Sequence, residues 1–208
     1  MAGLRVIGGE ARGRKLRMVP GEGTRPISDR VKESLFNILG GDVRQAHVLD
    51  LFGGTGSVGI EALSRGAAWA TFIENDPVAC QVIRDNLLHT RLDSRGDIIR
   101  GDVFRLLTRP PQRTYDLVHI APPQYRELWD RTLLLLDEHV EWLRPDATVV
   151  VQVHPVEDHP LSLGSLQEVD RRKYGSTLFV FYERPLPDTD ASQCVEYNAF
   201  SMTEVKNG

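Results

Sequence analysis

The sequence predicts an α/β fold with a mostly parallel, seven-stranded sheet, extended at its N-terminus by a β-hairpin and a helix. Two observations support this prediction. From residue 47 onward, short strand-like runs alternate with helix-like segments, which is typical of parallel strands joined by crossover helices. A glycine-rich segment, Asp50 to Gly59, lies between the first of these strands and the first helix. The chain has 208 residues, of which 41% are hydrophobic, enough for one sizeable core.

The N-terminal segment is predicted to form a hairpin followed by a helix. Two short apolar pieces within residues 4–19 are separated by glycines, a pattern typical of hairpins. Ser28 or Asp29 can cap a helix that ends at Gly40. The predicted apolar face of this helix consists of Val31, Leu35, Phe36, Ile38 and Leu39. We therefore expect residues 1–42 to form an N-terminal extension.

The central segment, residues 43–184, is predicted to be the α/β domain itself. Its predicted strands span residues 48–52, 70–74, 98–101, 115–120, 147–153, 166–172 and 177–183. Its predicted helices span residues 57–64, 77–89 and 125–143. Ligands of such sheets bind at the carboxyl ends of the strands, so candidate functional residues are expected there. Residues 185–208 are polar and lack periodicity, which predicts a disordered tail.

Charge is distributed unevenly along the chain. The net charge is −4, yet residues 1–32 carry eight cations and only three anions. A basic segment on an acidic body is expected of a protein that holds a polyanion at one end. A solvated hairpin with ordinary surface arginines explains the charge equally well. The candidate polyanion-binding residues are Arg5, Arg12, Arg14, Lys15, Arg25 and Arg30.

Several classes of protein and site are disfavoured by the sequence. Cys80 and Cys194 are far apart and have no histidine at ligand spacing, so neither a disulfide framework nor a zinc site is predicted. His154 and His159 lie in a proline-bearing loop and are interpreted as solvated, whereas His119 lies in an apolar strand and is interpreted as a core residue. No apolar run approaches the roughly 20 residues that span a bilayer. We expect a cytoplasmic protein without a metal or a membrane partner.

The glycine-rich segment predicts a cofactor that contains a nucleoside. Read from Gly54, it matches the pattern GxGxxG, and Glu74 lies 20 residues further on. This is also the fingerprint of NAD-binding folds. Asp50 discriminates between NAD and S-adenosylmethionine, the other nucleoside cofactor considered. Its carboxylate would repel the pyrophosphate of NAD. S-adenosylmethionine instead presents an ammonium and a sulfonium, so we predict S-adenosylmethionine rather than NAD.

Successive predicted strands end in residues that suit this cofactor. Glu74 can accept hydrogen bonds from two ribose hydroxyls. Asp102 could accept from the adenine amino group and the Val103 backbone N–H could donate to a ring nitrogen, although Asp102 is equally typical of a helix cap. The predicted cofactor-binding residues are Asp50, Phe52, Gly53, Gly54, Gly56, Glu74, Asn75, Asp102 and Val103.

These motifs resemble a known family, the RsmD-like guanine-N2 methyltransferases of bacterial small-subunit ribosomal RNA. The matching segments are residues 5–9, 12–16, 24–26, 29–37, 49–56, 59–67, 174–175 and 183–184. The resemblance implies a Rossmann-like methyltransferase fold, S-adenosylmethionine as cofactor and methyl transfer to the N2 amine of a guanine. It also implies 16S ribosomal RNA as partner, within a small-subunit assembly intermediate, and a monomeric enzyme. The arginine-rich extension would then contact the RNA.

One departure from the family falls on the catalytic motif. The resemblance implies Asp-Pro-Pro followed by Tyr or Phe after the fourth strand. The chain instead has Ala121, Pro122, Pro123, Gln124 and Tyr125, which are the predicted catalytic residues. Acceptors on the N–H bonds of an exocyclic amine help to aim its lone pair at the methyl group. Pro122 can still offer its carbonyl and Gln124 an amide oxygen, while Tyr125 could stack on the base or pack against Trp129.

Three functions therefore stay open on the sequence. The first is an RNA guanine-N2 methyltransferase. The second is a DNA amino-methyltransferase, because a proline-proline turn also serves adenine and cytosine amines. It is disfavoured, since the chain has no separate target-recognition region. The third, indicated by Ala121, is an RNA-binding module that holds the cofactor with weak or no catalysis.

Overall fold

The computed structural model describes residues 3–21, 27–123 and 128–186. The strands are β1 (His47–Leu51), β2 (Trp69–Glu74), β3 (Gly96–Arg100), β4 (Tyr115–Ile120), β5 (Leu143–Val153), β6 (Gln167–Tyr174) and β7 (Thr177–Glu183). They form one sheet in the order β3-β2-β1-β4-β5-β7-β6. Strands β1 to β5 pair in parallel, while β7 runs antiparallel to both β5 and β6. The predicted seven-stranded, mostly parallel α/β fold is confirmed.

Helices and hydrophobic clusters cover the sheet on both faces. The helices are α1 (Asp29–Leu39), α2 (Ser57–Ser64), α3 (Pro77–Thr90), α4 (Val103–Leu107) and α5 (Leu128–Glu138). One core cluster contains Leu35, Ile60 and Ile83 from α1, α2 and α3, and the other contains Leu107 and Leu133 from α4 and α5. Burial on both faces explains why the central strands are almost continuously apolar.

The strand order places two loops side by side at one edge of the sheet. From β1 the chain proceeds outward to β2 and β3, and it then returns to β4 on the other side of β1. Leu51 of β1 pairs with Ile120 of β4, so both strands end at the same level. In open α/β sheets, ligands bind where the strand order reverses in this way. The loops after β1 and β4 are therefore the expected location of the site.

The N-terminal hairpin is shorter than predicted. Arg5 and Lys15 form a single antiparallel bridge rather than part of two regular strands. The Val6 N–H donates to the Arg14 carbonyl at 2.9 Å. Val6 and Leu16 are buried in the same cluster as α1 and α2. Apolar packing therefore helps to hold this segment on the α/β domain, together with hydrogen bonds such as that from the Glu10 N–H to the Ser64 carbonyl at 2.9 Å.

A buried ion cluster also joins the extension to the sheet domain, and it was not anticipated from the sequence. Lys32 of α1 and Glu61 of α2 are both fully buried, with Nζ and Oε2 3.5 Å apart. Lys32 Nζ donates to the Arg5 carbonyl at 2.7 Å. Glu61 accepts from the backbone N–H groups of Ile7 and Gly8 at 2.7 and 2.8 Å. Burial lowers the pKa of Lys32.

The predicted apolar face of α1 is wrong at one position. Ser28 caps the helix, as one of the two predicted caps, and Gly40 follows its last residue. Ile38 was expected to be buried but is 38% exposed, whereas Lys32 is buried. The buried residues of α1 are Lys32, Leu35, Phe36 and Leu39. These positions form the i, i+3, i+4, i+7 stripe of an α-helix, and Ile38 lies off it.

The region around α4, α5 and β5 also differs from the prediction. The helix predicted over 125–143 ends at Glu138, because Val140–Trp142 forms a 3₁₀ turn and β5 already begins at Leu143. Trp142 Nε1 donates to the Leu107 carbonyl at 3.0 Å, which anchors this turn on α4. Helix α4 itself was not predicted, since five residues are too few to show a helical period.

Candidate active site

The candidate site lies at the carboxyl edge of the sheet. Phe52 to Gly56 follows β1, Asn75 follows β2, and Ala121 to Pro123 follows β4. Because β1 and β4 are paired and end at the same level, the loops after them are neighbours. The structure thus brings the predicted cofactor loop next to the described part of the predicted catalytic motif.

The loop after β1 is ordered by its own backbone. Phe52, Gly54 and Gly56 have φ of 64°, 54° and 73°, values that glycine adopts most readily. The Gly53 N–H donates to the Ile73 carbonyl at 3.0 Å, and the Gly56 N–H donates to the Gly53 carbonyl at 2.7 Å. Apart from chain neighbours, the nearest heavy atom to a Cβ added at Gly54 would be 3.8 Å away. The surface of the loop at Gly54 is therefore uncrowded, with only an ordinary van der Waals contact at the Phe52 carbonyl.

Asp50 lies beneath this loop rather than on its surface. Its side chain is 3% exposed. One carboxylate oxygen accepts from the Gly59 N–H at 3.1 Å, and the other is 2.9 Å from Nδ1 of His119. Both oxygens thus bond protein groups, and Asp50 joins the start of α2 to β4. The direct contact with a cationic cofactor that the sequence suggested stays a prediction.

Gly59 allows α2 to approach the sheet closely. A Cβ at this position would lie 2.3 Å from Cε1 of Phe72 on β2, a distance that would force one element to move. The third glycine of the GxGxxG pattern therefore serves the packing of helix on strand, as it does in dinucleotide-binding folds. It also lets the Gly59 N–H reach Asp50.

Glu74 closes the other side of the loop at the end of β2. Its Oε2 accepts from the Gly54 N–H at 2.8 Å, and its Oε1 accepts from the N–H groups of Asn75 and Asp76 at 2.8 and 2.9 Å. Three backbone donors thus fix the carboxylate, which is only partly buried. Oε1 already accepts two of these bonds and Oε2 only one, so a ligand hydroxyl could still donate to Oε2.

Asp102, the predicted cofactor-binding residue after β3, caps a helix. Asp102 is the N-cap of α4 and accepts from the Arg105 N–H at 3.0 Å, so the helix-cap interpretation is confirmed. Val103 is buried, and the ring of Phe104 meets that of Phe52 edge-on, with centroids 6.5 Å apart. Asp102 remains exposed, so contact with a ligand stays a prediction.

A cavity of about 360 Å³ lies between α4 and α5, beside Phe104 and Leu134. The guanidinium of Arg131 covers the Phe104 ring at 4.0 Å from its centroid. None of the predicted cofactor-binding residues lines this cavity. We therefore locate the site by its chemistry, at the loops after β1 and β4, and not by cavity size.

The catalytic motif is described only in part. Ala121 and Pro122 are half-buried and Pro123 is exposed directly after β4. Gln124 and Tyr125 lie outside the described residues. A cavity of about 10 Å³ lies beside the two prolines, and Trp129, Gln152 and Glu157 are among the residues that line it. Among the described residues, Trp129 Nε1 and Gln152 Oε1 are buried without a hydrogen-bond partner.

The predicted RNA-binding residues fall into two groups. Arg5 pairs with Asp29 at 2.9 Å, and Arg14 donates to the His89 carbonyl at 2.6 Å. The exposed side chains of Arg12, Lys15 and Arg30 pair with no carboxylate in residues 3–21, 27–123 and 128–186. Arg25 lies outside those ranges. Arg12, Lys15 and Arg30 are therefore the cations of this set that have no carboxylate partner in those ranges and could contact a polyanion.

His119 belongs to the site region, although the sequence indicated only a packed core residue. It is 3% exposed, as expected, but its Nδ1 bonds the Asp50 carboxylate. The register that pairs Asp50 with His119 follows from the strand order, and no local sequence signal reveals it.

Two features are absent from residues 3–21, 27–123 and 128–186. No group of three or more His, Cys, Asp or Glu side chains there could hold a metal ion. No helix within those residues has the length and apolar character needed to cross a bilayer.

Comparisons with known proteins place the chain in a family. A family model described as "Conserved hypothetical protein 95" matches residues 4–183. The "Ribosomal RNA small subunit methyltransferase D" of Haemophilus influenzae is 39% identical over 160 residues, covering 76% of this chain and 81% of that protein. The "Putative rRNA methyltransferase YlbH" of Bacillus subtilis is 34% identical over 183 residues, covering 87% of this chain and 99% of that protein.

Solved structures agree with this placement. The putative methyltransferase yhhF from Escherichia coli superposes with a TM-score of 0.77 at 33% identity, covering 89% of this chain and all (100%) of that one. An RNA methyltransferase from Salinibacter ruber shares the fold with a TM-score of 0.60 at 18% identity, covering 79% of this chain and 97% of that one. It was solved in complex with S-adenosyl-L-homocysteine. The chain therefore belongs to the RsmD-like methyltransferase family.

Proposed function

We propose that this protein transfers a methyl group from S-adenosylmethionine to the exocyclic N2 amine of a guanine in small-subunit (16S) ribosomal RNA. The observation that carries the proposal is the adjacency of the loop after β1 and the Ala121–Pro123 turn after β4 at the switch point of the sheet. The names of the relatives in Haemophilus influenzae and Bacillus subtilis support methylation of ribosomal RNA.

The glycine loop fits S-adenosylmethionine better than a dinucleotide. In a dinucleotide site the loop N–H groups face the pyrophosphate. Here the N–H groups of Gly53, Gly54 and Gly56 already donate to protein oxygens. The carboxylates of Asp50 and Glu74 also border the loop, which disfavours an anion. The uncrowded loop surface at Gly54 and the fixed Glu74 carboxylate would hold the nucleoside of the cofactor. When bound, S-adenosylmethionine supplies an electrophilic methyl group.

The turn after β4 would receive the target base. The lone pair of an exocyclic amine is delocalised into its ring, so acceptors for the two N–H bonds help to free and aim it. The Pro122 carbonyl would be one such acceptor. Ala121 removes the side-chain acceptor that the family pattern has at this position. A fast reaction would therefore need another acceptor on the second N–H bond.

RNA would be held by the exposed cations of the N-terminal extension. Arg12, Lys15 and Arg30 are solvent-accessible on this segment, and phosphate contacts supply most of the sequence-independent affinity for nucleic acid. The proposed partner is 16S ribosomal RNA within a small-subunit assembly intermediate, and the proposed active species is a cytoplasmic monomer.

Ala121 motivates a second candidate function, an RNA-binding module that holds the cofactor without transferring its methyl group. Removing one transition-state hydrogen bond typically costs about 10²–10³ in rate. A loss of that size leaves a slow enzyme if other acceptors are in place, and an inactive one if they are not.

Methyl transfer from labelled S-adenosylmethionine would test the proposal. Purified small subunits, isolated precursors of them, naked 16S RNA and duplex DNA would be offered to the protein in parallel. We expect label in the ribosomal particles, recovered as N2-methylguanosine after digestion. Label in DNA alone would favour the DNA amino-methyltransferase. No transfer at any assembly stage, with cofactor demonstrably bound, would favour the non-catalytic module.

A further inference from the structure

Gln152 lies beside the position that lacks the family carboxylate. Strands β4 and β5 are parallel, and His119 pairs with Val150 and Ile120 with Val151. Continued by one residue beyond the end of β4, this register would bring Ala121 opposite Gln152. In a strand, successive side chains alternate between faces, so Gln152 projects to the same face as Val150.

The amide oxygen of Gln152 is an unused acceptor beside a small cavity. Gln152 Oε1 is buried and has no partner among the described residues. A buried polar atom without a partner is costly and calls for an explanation. Its place next to Pro122 and Pro123, which line the same small cavity, suggests that the missing partner comes from outside the protein.

The cavity has room for one small polar group. Its volume of about 10 Å³ matches a single water molecule, and an amine nitrogen is of similar size. Trp129 lines the same cavity, and its buried Nε1 likewise lacks a partner among the described residues. A water could bridge Trp129 and Gln152 in the free protein, since one is a donor and the other an acceptor.

We propose that Gln152 Oε1 accepts a hydrogen bond from the target amine and so replaces the acceptor that Ala121 lacks. This inference rests on the proposed function. In the transfer, the amine nitrogen bonds the methyl carbon as the carbon–sulfur bond breaks, and the sulfur keeps the electron pair. The proton then passes from the alkylated nitrogen to water. A neutral amide can orient the amine but cannot take up that proton.

Single-turnover methylation of small subunits would test this role. Gln152→Ala should lower the rate about 10²-fold, as expected for losing one oriented hydrogen bond in the transition state, and should leave cofactor affinity unchanged. Gln167→Ala, on the exposed edge strand β6, is the matched control and should retain the parent rate. Gln152→Glu keeps an acceptor oxygen and should retain more activity than Gln152→Ala.

A double-mutant cycle makes the inference specific. Ala121→Asp should raise the parent rate by restoring a side-chain acceptor. If Gln152 serves the same N–H bond, Gln152→Ala should then cost less than tenfold in the Ala121→Asp background, because groups that share a role are non-additive. Gln124→Ala in parallel tests the other candidate acceptor, and a 10²-fold loss there with a normal rate for Gln152→Ala would overturn the inference.

The remaining outcomes separate the inference from the proposed function. An active parent with an unaffected Gln152→Ala variant overturns the role of Gln152 alone. The same result with a lowered melting temperature assigns Gln152 to a structural water bridge with Trp129. A parent that transfers no methyl group overturns the proposed function and, with it, the need for any acceptor.

Discussion

Asp50 acts within the protein as well as at the edge of the cofactor loop. Its carboxylate bonds the Gly59 N–H of α2 and Nδ1 of His119 on β4. This one side chain therefore sets the position of the helix behind the loop relative to the strand that leads into the proline turn. The carboxylate charge also lowers the affinity of the loop for anions. Shape and electrostatics at the site thus both depend on one buried residue.

Replacing Asp50 with Ala should weaken cofactor binding by about 1–3 kcal/mol, the usual loss when a charged hydrogen-bond partner is removed. The Gly59 N–H and His119 would also lose their buried acceptor, so the melting temperature should fall. Isothermal calorimetry with S-adenosylhomocysteine measures the first effect. Asp97→Ala, on the exposed face of β3, is the control. Parent affinity in Asp50→Ala would show that the loop does not need this carboxylate.

Some site residues were predictable because a single motif contains them. The glycine loop and Glu74 follow from a pattern of fixed spacing, and the structure joins them through the Gly54 N–H. Asp102 was ambiguous because helix caps and nucleoside ligands use the same side chain. Gln152 was not predictable at all, since its proximity to Ala121 arises only from the register of β4 and β5.

At the level of secondary-structure elements, the N-terminal extension depends on one helix of the sheet domain. Glu61 of α2 accepts from two N–H groups of the extension and lies beside Lys32 and Arg65. Two cations and two backbone donors offset the cost of burying its charge. Any RNA-binding surface on the extension is therefore oriented relative to the cofactor loop through α2.

Glu61→Ala should destabilise the protein by about 3–5 kcal/mol, because it leaves the buried charge of Lys32 without its partner. The backbone N–H groups of Ile7 and Gly8 would also be unpaired. Chemical denaturation measures the loss. Glu33→Ala on the exposed face of α1 should change stability by less than about 0.5 kcal/mol. A comparable loss in both variants would contradict a special role for Glu61.

The exposed cations of the extension should determine RNA affinity. Arg12→Glu combined with Lys15→Glu should weaken RNA binding and reduce the slope of log K against log salt, by about 0.7–0.9 for each lost phosphate contact. Cofactor affinity should not change. Binding titrations at several salt concentrations give both quantities.

The control for the Arg12→Glu, Lys15→Glu variant is a second double variant that replaces two exposed cations outside the N-terminal extension with Glu. Arg109 and Lys173 are exposed, and neither pairs with a carboxylate in the described chain. Arg109→Glu with Lys173→Glu should have little effect on RNA binding. Equal losses in both double variants would mean that net charge matters and that the extension has no specific contact.

For the molecule as a whole, the sheet was predictable because its pattern is repeated. Seven strand-like runs and crossover-length helices leave few topologies open, and the observed order is one of them. The predictions from sequence are wrong where one long-range contact outweighs the local pattern of apolar residues. Lys32 is buried by its contact with Glu61, and the chain leaves α5 early because Trp142 is anchored on α4. Neither contact has a local signature.

Ligand-induced stabilisation of the whole protein should distinguish the two cofactors considered. A ligand at about 100 times its Kd adds about 2.7 kcal/mol of stability. For a domain of 150–250 residues, this corresponds to a rise in melting temperature of about 5–11 °C. We expect this rise with S-adenosylhomocysteine. NAD at the same concentration should leave the melting temperature unchanged, because Gly53, Gly54 and Gly56 have no N–H free for a pyrophosphate. A rise of equal size with NAD would mean that the loop rearranges to release those donors.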